Sequence, residues 1–181
     1  MESKRVSKLG HHQFTASGLV LTADRKILLV EHAKLGVWLY PGGHVELDET
    51  PDEATCREIL EETGLKVKII GSTNDALSNA GLDVKVLHTP YLVWRQRIPE
   101  GDRYHFHTDL VYVCCLSVPD AKSEIVPQPS EIDAARFFTQ AEIDDVATFD
   151  NFRELLRWAF EDGALWVQVD EHYRLLDSIE G

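Results

Sequence analysis

Long apolar runs, basic residues and cysteine are what this chain of 181 residues has least of, and each shortage narrows what it can be. No apolar run reaches the roughly 18 residues needed to cross a bilayer, and the opening MESKRVSKLGHHQF lacks the apolar core of a signal peptide. A soluble cytoplasmic protein with no membrane partner is the expectation. Lysine and arginine number 18 against 31 aspartates and glutamates, a formal net charge of -13. Such a chain is not expected to grip nucleic acid through a basic surface of its own, and an anionic substrate would need a cationic intermediary. Cysteine occurs at three positions, Cys56, Cys114 and Cys115, without metal-ligand spacing. The adjacent pair lies in the apolar run LVYVCCL, and no partner motif accompanies any of them, so all three read as reduced core residues rather than catalytic thiols. Internal repeats and low-complexity tracts are lacking too.

What is present suffices for a core. Hydrophobic residues make up 44% of the chain, enough at this length for one domain over residues 1–181 but scarcely for two. FTASGLVL and KILLVEH are two strand-like runs separated by TADR, which predicts a hairpin, and WLYPGGHVE continues as extended chain with a glycine turn. LKVKIIGS, VKVLHTPYLVWRQRI and HTDLVYVCCLSV are further strand candidates, with GDR as the turn between the last two. PDAKSEIVPQPSEID, with three prolines, reads as a surface loop. Thr139 and Glu142 have capping-box spacing for a short helix, and Asp150 can cap a second, NFRELLRWAF. Strands interleaved with helices predict a mixed α/β fold.

The segment TPDEATCREILEETGL predicts a helix with Thr50 as N-cap, Pro51 as first helical residue, Glu53 as capping-box partner and Gly64 as terminator. At about 100° per residue, Glu58, Glu61 and Glu62 share an arc of about 100°, with Cys56, Ile59 and Leu60 almost opposite. One face is expected to pack and the other to present carboxylates. Like charges spaced i,i+3 and i,i+4 cost roughly 0.2 to 0.5 kcal/mol each, a penalty that a bound divalent cation reverses. Hard oxygen ligands suit Mg²⁺ or Mn²⁺. The alternative is a solvated acidic face.

A longer pattern favours the metal site. Gly43 is followed by five residues, Glu49, seven residues, Arg57-Glu58-Ile59, one residue, Glu61-Glu62, one residue, and Gly64-Leu65. This resembles a complete Nudix box with every defined position filled. SEIDAARFF is also similar to the acidic segment leading to an aromatic pair in many members of that family. The resemblance implies the Nudix fold, a mixed sheet between helices. It also implies hydrolysis of a nucleoside diphosphate linked to another moiety, with water attacking phosphorus and a divalent metal bridging enzyme and diphosphate.

By position, the resemblance makes Glu58, Glu61 and Glu62 metal ligands, with the carbonyl of Gly42 a further one. Arg57 matches the arginine that orients a box carboxylate, and Glu49 its partner; a surface pair of Arg57 with Glu53 or Glu61 is the competing reading. Gly43 and Gly64 are turn positions. Glu58 and Glu131 are the candidates for general base, the latter on the loop before AARFF. His105, His107 and Asp109 alternate along one strand face and could line the substrate cleft, or form an ordinary polar face. Trp38 and Trp94 could stack on a nucleobase or pack in the core.

Substrate choice stays open. Pro90 lies too far beyond the box to resemble the proline of the ADP-ribose group, and neither the tyrosine of the dinucleoside-polyphosphate group nor the upstream coenzyme A motif is found. These absences weaken those three readings without excluding them; nucleoside triphosphates, oxidised ones included, nucleotide sugars and other diphosphate compounds are open as well, and fold cannot choose among them. The partner expected is therefore a small-molecule nucleoside diphosphate derivative, with a homodimer left open. Two other classes share the fold: a binding or regulatory Nudix domain, and an isopentenyl-diphosphate isomerase, whose cysteine and glutamate motifs are not found here.

Overall fold

The computed structural model describes residues 12–118, 124–127 and 132–180. Its strands are β1 (His12–Leu21), β2 (Lys26–His32), β3 (Val37–Leu39), β4 (Gly42–His44), β5 (Val67–Ile69), β6 (Leu92–Glu100), β7 (Arg103–Leu116) and β8 (Ile132–Thr139). The helices are α1 (Pro51–Thr63), α2 (Asp150–Glu161) and α3 (Gly163–Glu180), with short 3₁₀ turns at Asp75–Leu77, Ala80–Leu82 and Gln140–Asp145. All eight strands join one mixed sheet. Its spine is the parallel pairing of β1 with β7, from His12 beside Phe106 to Leu21 beside Cys115. The other pairings are antiparallel: β2 and β4 flank β1, β6 and β5 flank β7, and β2 carries β3 and β8. This is the mixed α/β architecture the sequence leads one to expect.

Side chains alternate across a strand, so β1 and β7 present two distinct faces. The upper part of β1 is wholly apolar and buried on both, with Leu19, Val20 and Leu21 in one core with Val111, Val113, Leu116 and Ile59 of α1. Helix α3 closes the other side, where the Tyr173 hydroxyl donates to the Leu21 carbonyl at 2.7 Å and accepts from the Leu116 N–H at 3.1 Å. Cys114 and Cys115 are fully buried, and Cys56 is half-buried. Among the described residues no helix is long and apolar enough to cross a membrane.

Helix α1 starts as its caps dictate. Glu53 accepts the Thr50 N–H at 3.0 Å, and Gly64 ends the helix in the left-handed region at φ 73°. The packed row is nevertheless Thr55, Ile59, Glu62 and Thr63, an i, i+4, i+7, i+8 stripe, and Leu60 is 42% exposed rather than on the packing face. Three further expectations change. Of VKVLHTPYLVWRQRI only the part from Leu92 is strand; the part before it is an isolated bridge from Val84 to Asn79 and a loop containing Pro90, which has no N–H to give a ladder. Phe149 rather than Asp150 holds the N-cap of α2, with Asp150 in the first turn, where its charge still complements the helix dipole. Helix α3 was not anticipated, and the Asp162 carboxylate caps it by accepting the N–H groups of Ala164 and Leu165 at 3.0 and 3.1 Å.

Candidate active site

The site forms where α1 crosses the tight passage from β3 into β4. β4 lies antiparallel to β1, with His44 opposite Thr15, Gly43 opposite Ala16 and Gly42 opposite Ser17. The Gly42 N–H donates to Glu62 Oε2 at 3.0 Å. A Cβ added at Gly43 would collide with all three carboxyl atoms of Glu58, so only glycine leaves room for that group. Glu62 is 8% exposed and the Glu58 side chain 12%, so the helix lays two adjacent carboxylates down on the glycine turn rather than out into solvent.

Arg57 ties this arrangement together. Its Nε and Nη2 donate to the two oxygens of Glu49 at 3.0 and 2.6 Å, its Nη1 to Glu58 at 2.9 Å and Glu61 at 3.0 Å, and its Nη2 also to the His44 carbonyl at 3.0 Å. The Arg57–Glu49 pairing is the one the motif implies. Of the two competing partners, Glu61 pairs with Arg57 as well, while Glu53 goes instead to Lys85 at 2.7 Å. The hydrogen bonds that Arg57 donates to Glu49 raise the guanidinium pKa further, and the same bonds hold Glu49 below the usual carboxylate range. Three carboxylates thus share one guanidinium.

That surplus of negative charge and the all-oxygen donor set fit a hard divalent cation beside Glu58 and Glu62. Glu61 is 55% exposed and turned to Arg57. Among the described residues no three His, Cys, Asp or Glu side chains form a converged metal-holding group. Glu61 would have to turn from Arg57 to complete a set of three. Glu131 lies outside the described residues.

His105, His107 and Asp109 do share one face of β7, yet they do different things. Asp109 is buried and accepts from Thr15 Oγ1 at 3.0 Å, Ser17 Oγ at 2.9 Å, Tyr40 Oη at 2.6 Å and Trp94 Nε1 at 3.2 Å. With four donors it braces the sheet against the Tyr40–Gly42 turn. Burial, then the charge of Asp109, pushes the Tyr40 phenol up, so it stays a donor. His105 and His107 meet through their Nε2 atoms at 3.0 Å, and His107 faces the His44 ring edge-on at 4.9 Å. Burial lowers the His107 pKa, with His44 and His105 acting in the same direction and Asp109 against them. A half-buried imidazole patch therefore adjoins the carbonyl that holds Arg57. Trp94 serves Asp109, and Trp38 packs edge-on against Phe138 at 4.9 Å, so both tryptophans follow the core reading. Tyr40, His44, Thr15 and Ser17 were missed in the sequence, where only strand alternation hinted at the last two.

The NUDIX domain family model matches residues 11–159. A "MutT-like protein" of Streptomyces ambofaciens is 41% identical over 58 residues, 32% of this chain and 38% of that protein. A "Probable DHNTP pyrophosphohydrolase" of Lactococcus lactis is 31% identical over 117 residues, 65% of this chain and 61% of that one. The chain thus spans less than two thirds of the length of either relative. The crystal structure of a NUDIX-family hydrolase from Clostridium perfringens superposes with a TM-score of 0.69 at 25% identity, covering 82% of this chain and 96% of that one.

Proposed function

The chain belongs to the Nudix family, and from that premise we propose that it hydrolyses a diphosphate linkage in a nucleoside diphosphate derivative by attack of water at phosphorus. The observation that carries this reading is the pair Glu58 and Glu62, both nearly buried on the Gly42–Gly43 turn, beside an Arg57 guanidinium that Glu49, Glu58 and Glu61 share. Glu58, Glu61 and Glu62, with the Gly42 carbonyl, would hold Mg²⁺, for which Mn²⁺ can substitute. When bound, the cation neutralises phosphate oxygens and holds nucleophile and leaving group in line.

The chain's own residues supply position and proton transfer. Arg57 holds Glu58 in place, and Glu49 holds Arg57, so removing Glu49 frees the guanidinium to swing. Glu58 takes the proton of the attacking water, with Glu131 as the second candidate. His105 and His107 offer imidazole N–H groups to the substrate beside His44, while Trp38 is withdrawn from base stacking because its ring is packed. An isomerase chemistry built on cysteine is disfavoured: burial pushes the Cys56 thiol up, and Cys114 further still. Residues 1–181 form one domain in this reading, since α3, which follows the end of the family match at residue 159, packs Leu165, Trp166, Val169 and Tyr173 into the same core. The relative from Lactococcus lactis, named a pyrophosphohydrolase, supports the reaction class.

The test is a panel of nucleoside triphosphates, nucleotide sugars and other diphosphates with Mg²⁺ in ¹⁸O-labelled water, products identified by mass. Label on one phosphate product is expected. Tight ligand binding with no turnover across the panel would make the domain a binding module instead.

A further inference from the structure

The hairpin of β6 and β7 carries a charge pattern unlike the rest of the protein. Among the described residues, Arg25, Arg57, Arg136, Arg157 and Arg174 each pair with a carboxylate, and Arg153 is engaged by backbone carbonyls. The three arginines with no such partner among the described residues, Arg95, Arg97 and Arg103, all lie in this one hairpin. Two of them lie over rings: Arg95 Cζ is 4.4 Å from the centroid of Phe106, and Arg97 Cζ is 4.0 Å from that of Tyr104. Next to them the rings of His12 and Phe14 run nearly parallel, with centroids 6.1 Å apart, and Phe14 is 58% exposed.

Register puts these groups on one face. Arg97 is opposite Phe106, Phe106 is beside His12, and Thr108 is beside Phe14. The same face carries Ala16, whose partner Gly43 lies under Glu58. The platform thus begins next to the proposed cation site and runs from Ala16 to His12, about 13 Å at about 3.3 Å per residue. A guanidinium laid on a ring keeps its edge N–H groups free for phosphate oxygens, and an exposed aromatic gives a base a surface to stack on. A sugar brings neither an anion nor a π-face. The overall acidity does not forbid such a contact, because charges more than about 8 Å away are largely screened at physiological salt.

We propose that this arginine and aromatic face binds a second nucleotide unit, so that the moiety linked through the diphosphate is itself a nucleotide. The inference rests on the hydrolytic reading above. A dinucleoside polyphosphate and the 5′ end of an oligonucleotide share this chemistry.

Binding is measured first, with chelator present and the full chain, by fluorescence anisotropy of a labelled 5′-phosphorylated trinucleotide competed by a nucleoside monophosphate. The trinucleotide should bind at least about tenfold more tightly, and Arg95→Ala/Arg97→Ala should remove that advantage, while Arg174→Ala keeps it. Arg95→Lys/Arg97→Lys, which retains the charge but not the planar stacking, should give an intermediate loss and carries the test if the alanine variant does not fold. With Mg²⁺, the ratio of kcat/KM on the two-nucleotide substrate to that on a nucleoside triphosphate should fall about tenfold in the alanine variant. Dinucleoside polyphosphate and 5′-triphosphorylated trinucleotide are assayed separately, and the larger fall identifies the source. If nothing is hydrolysed, the catalytic reading fails while the binding measurement still reports on this face. Equal affinity for trinucleotide and mononucleotide, parent-like behaviour of both double variants, or a dimer that the substitutions dissolve would overturn the proposal, the last giving the face to a second copy.

Discussion

The two flanks of α1 carry the same kind of residue and treat it in opposite ways. On the flank facing the β5–β6 connection, Asp52 meets His88 Nδ1 at 3.0 Å and Glu53 meets Lys85 Nζ at 2.7 Å, beside a cleft of about 560 Å³. Each acid has its own partner. Lys85, followed by the Thr50 backbone, holds Glu53 down to about 2, and burial of Asp52 is outweighed by hydrogen bonds from Thr50 and His88 that keep it low. On the flank facing β4, Glu49, Glu58 and Glu61 converge on the one guanidinium of Arg57, and Glu62 accepts the Gly42 N–H. On one flank each acid has a cation or imidazole to itself; on the other, three acids crowd one guanidinium, and that is where the proposed external cation would sit.

Four experiments break or sharpen that contrast, and the largest effect comes from the carboxylates themselves. Glu58→Gln is expected to lower kcat by at least about a hundredfold, since it removes both a cation ligand and the proposed base. Glu53→Gln, on the opposite flank, should stay within about twofold, because the amide oxygen still caps the helix. Steady-state rates on one substrate decide, and equal losses in both would erase the distinction. Next is Gly43→Ala, whose Cβ takes the space of the Glu58 carboxyl group. A fall of about tenfold or more in kcat is expected, with the helix content by circular dichroism kept; unchanged turnover would mean that Glu58 works from some other position.

The third concerns stability. A cation held at the β4 flank stabilises the folded state, by about 2.7 kcal/mol at a hundred times its Kd. Thermal melts of the parent should therefore rise with Mg²⁺ and those of Glu62→Gln much less. In chelator the variant should match or exceed the parent by up to about 0.5 kcal/mol, since one repelling charge is gone and the amide oxygen can still accept the Gly42 N–H. A parent that gains nothing from Mg²⁺ has no such site.

The contrast also separates what a sequence displays from what it hides. Thr50, Pro51, Glu53 and Gly64 act through neighbours a few residues away, so the helix and its ends were readable, as was the spacing of Glu49, Arg57 and Glu58. The burial of Glu62 and the exposure of Leu60 were not, because they depend on which side of α1 meets β1 and β4. Asp109 and Tyr40 come together across 69 residues through strand pairing that no local pattern announces. The three residues of β4, GGH, carry no strand signal at all; only β1 beside them makes them a strand. Helix α3 is a different case, since Leu165, Trp166, Val169 and Tyr173 have helical spacing and could have been read.

The smallest effect lies in the ion pair that serves as the contrast's control. Lys85 and Glu53 are both more than half exposed, so their attraction is screened and is worth a few tenths of a kcal/mol. The sign of its pH dependence follows from the carboxylate. Glu53 sits at about 2 in the folded protein against 4.5 ordinarily, so its contribution is whole above about pH 4.5 and is lost as the pH falls through 2. Lys85→Met removes the partner and returns Glu53 towards its ordinary value. At pH 7 the variant should melt slightly below the parent, and at pH 2 to 3 the gap should shrink towards nothing. Its turnover at pH 7 should match the parent throughout, because nothing at the Gly42–Gly43 turn depends on Lys85. A loss of turnover approaching that of Glu58→Gln would show that the two flanks of α1 are coupled, and that the partnered acids are no mere scaffold.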